Sequence, residues 1–167
     1  MATQLTAEGA RQSLTAHVAA KGAELFAKYG PRLGWAELQR LLEDRAQVRY
    51  PCEIQFDASS LQPGEFAYPM AKGETPEAGF ILYVHPVYML ELDRVAWLVL
   101  YQLVAVNYGA FASADDAEAF GAAALGITRD EYYAGVCELA DRLAVGEPAA
   151  AHMGGDGESG GCNCGSL

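Results

Sequence analysis

The sequence predicts an α+β fold, in which a small, mostly antiparallel three-stranded sheet lies between N-terminal and C-terminal helices. Apolar residues recur at helical spacing over residues 6–29 and again after residue 92. Between these blocks, residues 52–85 form short alternating runs that are separated by glycine and proline. Helical and strand periods that occupy separate blocks of the chain favour α+β over an alternating α/β arrangement.

The N-terminal helices come first. Residues 6–29 are predicted to form a helix, because their larger apolar residues share one side. Gly30 and Pro31 end it, since glycine adopts the left-handed cap easily and proline cannot continue a helix. A second, shorter helix is predicted over residues 35–45.

The strands follow. Residues 52–57 alternate between apolar and polar side chains, which is typical of a half-buried strand. A weaker strand is predicted over residues 65–70. The strongest strand covers residues 79–85, which are rich in β-branched and aromatic side chains, and Pro86 ends it.

Three C-terminal helices are predicted to pack around one that is buried. Residues 92–108 are apolar nearly all round, which is typical of a central helix. Ser113 is a favourable N-cap for a helix over residues 114–125. Thr128 and Glu131 have the spacing of a capping box, in which each side chain satisfies the other's backbone N–H, and they begin the last helix.

The composition changes abruptly after this helix. Residues 146–167 include seven glycines and no lysine or arginine. They offer little to bury, so we expect a folded domain over residues 1–145 and a flexible, disordered tail over 146–167.

The charge of the chain excludes some partners. A formal net charge of −11 opposes binding to nucleic acid and to an anionic membrane surface. The N-terminus has no secretory signal, so we expect a soluble cytoplasmic protein whose cysteines are reduced. The sequence leaves the oligomeric state open.

The tail carries the clearest chemistry. Cys162 and Cys164 are separated by one residue, so an extended backbone turns both thiols toward one ion. Thiolates select Cu(I), Zn(II) or an iron–sulfur cluster. Two ligands leave the coordination shell open, and His152, a partner's ligand or a second copy of the tail could complete it.

Short segments of two families resemble this tail. The C-terminal Cys-Gly-Cys-Gly segment of A-type iron–sulfur carriers is similar to Cys162, Cys164 and Gly165. The Cys-X-Cys of copper chaperones for superoxide dismutase resembles the same two cysteines. Both resemblances cover fewer than ten residues and imply a tail that binds metal through thiols. The helix-rich domain resembles neither family.

We therefore expect an accessory protein that binds or transfers a thiophilic metal ion or iron–sulfur unit, with a protein partner that engages its C-terminal tail. A first alternative is a small enzyme with an incidental tail. A second is a precursor whose cysteine-containing tail is modified or cleaved by a partner enzyme. The sequence contains no catalytic signature, so enzymatic activity stays open and is the less favoured interpretation.

The enzyme alternative depends on His85, which ends the strongest strand. Tyr83, Glu65 and Asp57 also lie near predicted strand ends, so these four residues form a candidate pocket. A histidine beside carboxylates can act as a general acid or base or bind a metal. The competing and favoured interpretation is a histidine that is hydrogen-bonded at a strand terminus.

Four further residues have mainly structural interpretations. Cys52 and Cys137 are expected inside the domain, where free cysteine packs as a small apolar side chain. Gln102 and Asn107 are polar groups on the apolar helix. They mark either a pocket or a satisfied hydrogen-bond network, and the network is favoured.

Overall fold

The computed structural model describes residues 6–146. The predictions for the tail, including its disorder and the proposed ligands Cys162, Cys164 and His152, concern positions outside the described residues.

The described residues form five helices and a three-stranded sheet, which confirms the α+β prediction. The helices are α1 (Ala7–Tyr29), α2 (Trp35–Glu43), α3 (Leu92–Tyr108), α4 (Ala114–Leu125) and α5 (Arg129–Gly146), and the strands are β1 (Cys52–Phe56), β2 (Ala67–Ala71) and β3 (Phe80–Val84). Short 3₁₀ turns follow β3, at Pro86–Leu90, and α3, at Gly109–Phe111.

The sheet is mixed rather than mostly antiparallel, with the order β1-β3-β2. β2 pairs with β3 antiparallel, whereas β1 pairs with β3 parallel, with Cys52 opposite Phe80. The central position goes to β3, the most continuously apolar strand, because a central strand has neighbours along both edges. The chain therefore passes from one edge of the sheet to the other before it returns to the middle.

Helix α3 lies at the centre of the core, as its all-round apolar character predicts. Val95, Leu98 and Leu103 have no exposed surface, and α3 packs against the sheet and against α2, α4 and α5. The buried Gln102 amide donates from Nε2 to the carbonyl oxygen of Ala67 at 3.0 Å. This bond joins α3 to β2 and confirms the satisfied-network interpretation of Gln102.

The N-terminal helix packs mainly along α4. A Cβ atom at Gly22 would lie 2.5 Å from the carbonyl oxygen of Phe120, so only glycine permits this close approach of the two backbones. Thr15 donates from Oγ1 to Oδ1 of the buried Asp116 at 2.7 Å. Asp116 also accepts from the backbone N–H of Ser113, which completes the cap of α4. Contacts between distant parts of the sequence therefore join these two helices.

Local signals locate most helix ends correctly. Ser113 caps α4 as predicted, and Thr128 and Glu131 satisfy each other's backbone N–H groups at the start of α5. Helix α2 ends at Glu43, two residues before the expected end. The reason is Asp44, whose carboxylate accepts the backbone N–H of Ala46 and so forms a turn instead of another helical residue. Within residues 6–146, no helix is both long and apolar enough to cross a membrane.

Candidate functional site

His85 lies where β3 passes into a 3₁₀ turn, and the backbone holds it from two sides. Its N–H donates to the carbonyl oxygen of Phe66, the residue just before β2, at 2.9 Å. Its ring Nδ1 accepts the N–H of Val87 at 3.2 Å and caps the turn that begins with Pro86. The position therefore has a clear structural role, because the imidazole replaces a backbone acceptor at the start of the turn.

A cleft of about 210 Å³ opens beside this histidine; it is named here the His85 cleft. Most of its wall comes from the loop between β1 and β2, and the remainder from His85 and α5. The lining residues are Ala58, Leu61, Gln62, Pro63, Gly64, Glu65, His85 and Leu143. The cleft thus brings together two of the four candidate pocket residues, His85 and Glu65.

The other two candidates do not line the cleft. Tyr83 lies on the opposite face of β3 from the buried Leu82 and Val84, since successive side chains of a strand alternate. Asp57 follows β1, and its carboxylate accepts the N–H of Ser59 at 2.8 Å. Hydrogen bonds from the backbone and side chain of Ser59 hold the pKa of Asp57 below its usual value. Asp57 is therefore a turn-forming carboxylate.

Glu65 is also engaged locally. Its Oε2 accepts the N–H of Gln62 at 2.8 Å, and its own N–H donates to the carbonyl oxygen of Gln62 at 2.9 Å. These two bonds close the turn that forms the wall of the cleft. One carboxylate oxygen is thus occupied by the loop, and the other forms no hydrogen bond within residues 6–146.

The hydrogen bond at Nδ1 limits the chemistry that His85 can perform. A neutral imidazole that accepts at Nδ1 carries its proton on Nε2. In this tautomer Nε2 is a donor, so it neither binds a metal nor removes a proton. Both of those reactions require Nδ1 to hold the proton, which breaks the bond from Val87. The geometry favours the structural interpretation of His85 and leaves Nε2–H available to hydrogen-bond a ligand.

Tyr88 lies beneath His85, with the two rings edge to face at 6.4 Å between centroids. The buried Tyr88 hydroxyl donates to the carbonyl oxygen of Leu139 at 2.6 Å, which fastens the turn to α5. Burial raises the pKa of Tyr88 to about 12, so the phenol stays protonated at neutral pH. Tyr88 supports the cleft and does not supply an acid or a base.

The cysteines inside the fold are poor metal ligands. Cys52 donates from Sγ to the carbonyl oxygen of Tyr50 at 3.3 Å, and burial raises the pKa of its thiol to about 11. Cys137 is buried on α5. Among the described residues, no group of three or more His, Cys, Asp and Glu side chains is arranged to hold a metal ion. Cys162 and Cys164 lie outside the described residues.

The His85 cleft adjoins the last described turn of α5. Leu143 lines the cleft, and α5 ends at Gly146. Three helical residues advance the chain by only about 4.5 Å. The chain therefore leaves the described part of the fold close to this cleft.

A second and larger cleft lies at the other end of β3, beside Phe80. Of its polar lining residues, Asn107 was a candidate from the sequence, whereas Arg49 was not predicted to have a function. His17 and Lys21 line a smaller adjoining cleft, and because they are four residues apart they share one face of α1, which is a partial sequence signal for a basic site. No local pattern places Arg49 beside them, because a contact with the distant α3 fixes its position.

The chain matches no family model, no curated protein and no solved structure at a significant level. Its function has to be inferred from the chemistry of its own residues.

Proposed function

We propose that this protein binds a thiophilic metal ion or iron–sulfur unit through Cys162 and Cys164 and passes it to a protein partner that engages the tail. The observation that carries the proposal is the pair of thiols one residue apart in a glycine-rich segment. Such a pair supplies two soft ligands, and glycines permit close wrapping of the backbone. Cu(I), Zn(II) and an iron–sulfur unit all suit these ligands.

The folded domain supports the proposal by elimination. Cys52 keeps its proton because its pKa is raised to about 11, and Cys137 is packed in the core. Metal binding requires thiolates, and a buried thiol gives up its proton only at a cost in free energy. Soft-metal chemistry in this chain therefore belongs to the tail, with His152, a partner's ligand or a second tail as the further ligand.

The test compares two variants that differ in the cysteines they remove. The double variant C162S/C164S should lose the bound metal after anaerobic purification, because both soft ligands are replaced by weak ones. The control C52S removes a thiol of the folded domain and should keep the wild-type metal content. Elemental analysis gives the stoichiometry, and the ultraviolet–visible spectrum distinguishes copper thiolates from a cluster. An unchanged stoichiometry in C162S/C164S would contradict the proposal.

A small enzyme with its pocket at His85 is the second candidate. The cleft that contains His85 and Glu65 favours it, and Nε2–H of His85 together with the remaining oxygen of Glu65 could orient a polar substrate. Deletion of residues 147–167 separates the two candidates. An enzyme retains its turnover without these residues, whereas the proposed carrier loses its metal.

A further inference from the structure

The second cleft, named here the Arg49 cleft, has a volume of about 560 Å³. This volume falls within the range of about 300–1,000 Å³ that is typical of small-molecule sites. The residues that define it are Leu14, Arg49, Tyr50, Phe80, Tyr108 and Phe111. They come from α1, the loop before β1, the start of β3, the end of α3 and the turn that follows it, so distant parts of the chain converge on one space.

One part of the Arg49 cleft is apolar. Phe80 and Tyr50 are in ring contact, with 6.0 Å between their centroids, and Leu14 and Val106 add aliphatic surface. Phe111 lies in the 3₁₀ turn after α3 and is 85% exposed. Exposing an aromatic ring to water is unfavourable by roughly 25 cal/mol per Å² of apolar surface. An apolar ligand body that covers these rings would recover that free energy.

The other part is basic. A smaller cleft of about 250 Å³ adjoins the first and shares Arg49, Asn107 and Tyr108 with it. Its wall adds Lys21, Arg45 and His17, and it includes no carboxylate. Arg45 and Arg49 form no ion pair in residues 6–146, so in a chain with a formal net charge of −11 they create a local region that attracts anions.

Among these cations, Arg49 is the one without a partner in the described residues. Within residues 6–146, seven of the eleven lysines and arginines form ion pairs, and Lys21 is one of them, at 2.8 Å from Glu24. Arg45 donates to the carbonyl oxygens of Val48 and Tyr50. The Arg49 guanidinium forms no ion pair in residues 6–146 and lies over the Tyr50 ring, 5.4 Å from its centroid. Its hydrogen-bond donors remain available to an anion.

The backbone of Arg49 is held in place by Asn107, at the end of α3. The N–H of Arg49 donates to Oδ1 of Asn107 at 2.9 Å, and Nδ2 of Asn107 donates to the carbonyl oxygen of Gln47 at 3.0 Å. One amide side chain therefore fixes the loop from both sides. A guanidinium on a fixed backbone loses less entropy when it binds a planar anion.

We propose that the Arg49 cleft binds a small amphiphilic carboxylate, with its carboxylate on Arg49 and its apolar body against Phe80 and Phe111. The guanidinium presents two parallel N–H donors, which match the two oxygens of a carboxylate. The aromatic wall receives an aliphatic or aromatic chain. The site lies at the opposite end of β3 from the His85 cleft and uses none of the tail cysteines.

The test uses octanoate as the probe and octan-1-ol as its uncharged match, at about 150 mM salt, where weak surface attractions are screened. Backbone amide chemical shifts of the full-length protein should change saturably with octanoate, and the largest shifts should lie at Arg49 and Phe111. Octanol should bind at least about tenfold more weakly, because it cannot form charge-assisted hydrogen bonds with the Arg49 guanidinium. Equal affinities for the two probes, or no saturable shift with octanoate, would overturn the proposal.

Three variants separate the charge from the apolar wall. R49Q should weaken octanoate binding about tenfold or more and leave octanol unchanged. F111S should weaken both probes. The control R32Q removes an exposed arginine that forms no ion pair in residues 6–146 and lies outside both parts of the cleft, so it should bind octanoate as the wild type does.

Neither Arg49 nor Phe111 is buried, so both variants should fold, and the amide spectrum away from the cleft verifies this. Unchanged octanoate affinity in R49Q would show that Arg49 does not bind the carboxylate and would overturn the assignment. C162S/C164S should bind octanoate normally, so this proposal and the metal proposal fail independently.

Discussion

The two clefts at opposite ends of β3 differ in how their polar groups are used. In the His85 cleft, Nδ1 of His85 and one oxygen of Glu65 already accept backbone N–H groups. In the Arg49 cleft, the guanidinium of Arg49 has neither an ion-pair partner nor a hydrogen-bond partner among the described residues. The backbone of its loop is held instead by the Asn107 side chain. The residue types that suggest catalysis in a sequence can be the ones that hold a turn together. The capacity to bind a ligand depends on which donors and acceptors the fold leaves unused.

The largest effect is expected from the residue that supports the His85 cleft. Tyr88→Ala should lower the free energy of unfolding by about 3–5 kcal/mol, because it removes a fully buried ring and its hydrogen bond to Leu139. Urea denaturation at neutral pH measures the loss. The neighbouring Met89→Ala is the control, since Met89 is 53% exposed and should change stability by less than about 0.5 kcal/mol. Similar values for the two variants would show that the turn is not fastened through Tyr88.

An intermediate effect is expected at the Arg49 cleft. Asn107→Ala removes both bonds to the loop, one exposed and one half-buried, and should cost about 1–3 kcal/mol, because each hydrogen bond contributes about 0.5–1.5 kcal/mol. It should also weaken octanoate binding, since Arg49 is no longer held over the cleft. Denaturation and the octanoate titration measure the two effects. Gln39→Ala, an exposed change on α2, should alter neither quantity. Normal octanoate binding by Asn107→Ala would show that the hydrogen bonds of Asn107 to the loop are not needed for Arg49 to bind the carboxylate.

The smallest effect concerns the cap at His85. His85→Ala should lower stability by about 1 kcal/mol, because the N–H of Val87 loses its acceptor. His85→Asn keeps a short side chain that can accept this N–H, so it should recover most of the loss. Thermal or urea unfolding of the three proteins decides between them. If His85→Asn is as destabilising as His85→Ala, the stabilisation by the imidazole does not come from its hydrogen bond with the N–H of Val87. Octanoate binding should be the same in all three.

The sequence predicted most elements of this fold because local signals determine them. The bounds of α3 and α4 follow from an apolar run that ends at glycine and from the Ser113 cap. The parallel pairing of β1 with β3 could not be predicted, because the local sequence indicates that a segment forms a strand but not which strand it pairs with. Each strand alone is equally compatible with either direction of pairing.

The candidate site residues also divide into those that local patterns identify and those that contacts between distant residues position. His85 and Glu65 were identified from their places near strand ends, and they do line one cleft. Tyr83 could have been excluded by alternation within its strand, since Leu82 and Val84 on either side are more apolar. Arg49 could not have been identified, because it is positioned by Asn107, 58 residues further along the chain.

Because α1 packs along α4, it cannot reach its native contacts during synthesis until α4 has been made. Val18 and Leu25 of α1 are fully covered in the finished fold, and the bond from Thr15 to Asp116 spans 101 residues. A ribosome that adds about 5–20 residues per second releases α1 several seconds before α4 exists. Throughout that interval the apolar stripe of α1 lacks its native cover. Helix α1 is thus synthesised well before the helix that buries it, and the growing chain depends on delayed docking of α1 onto α4.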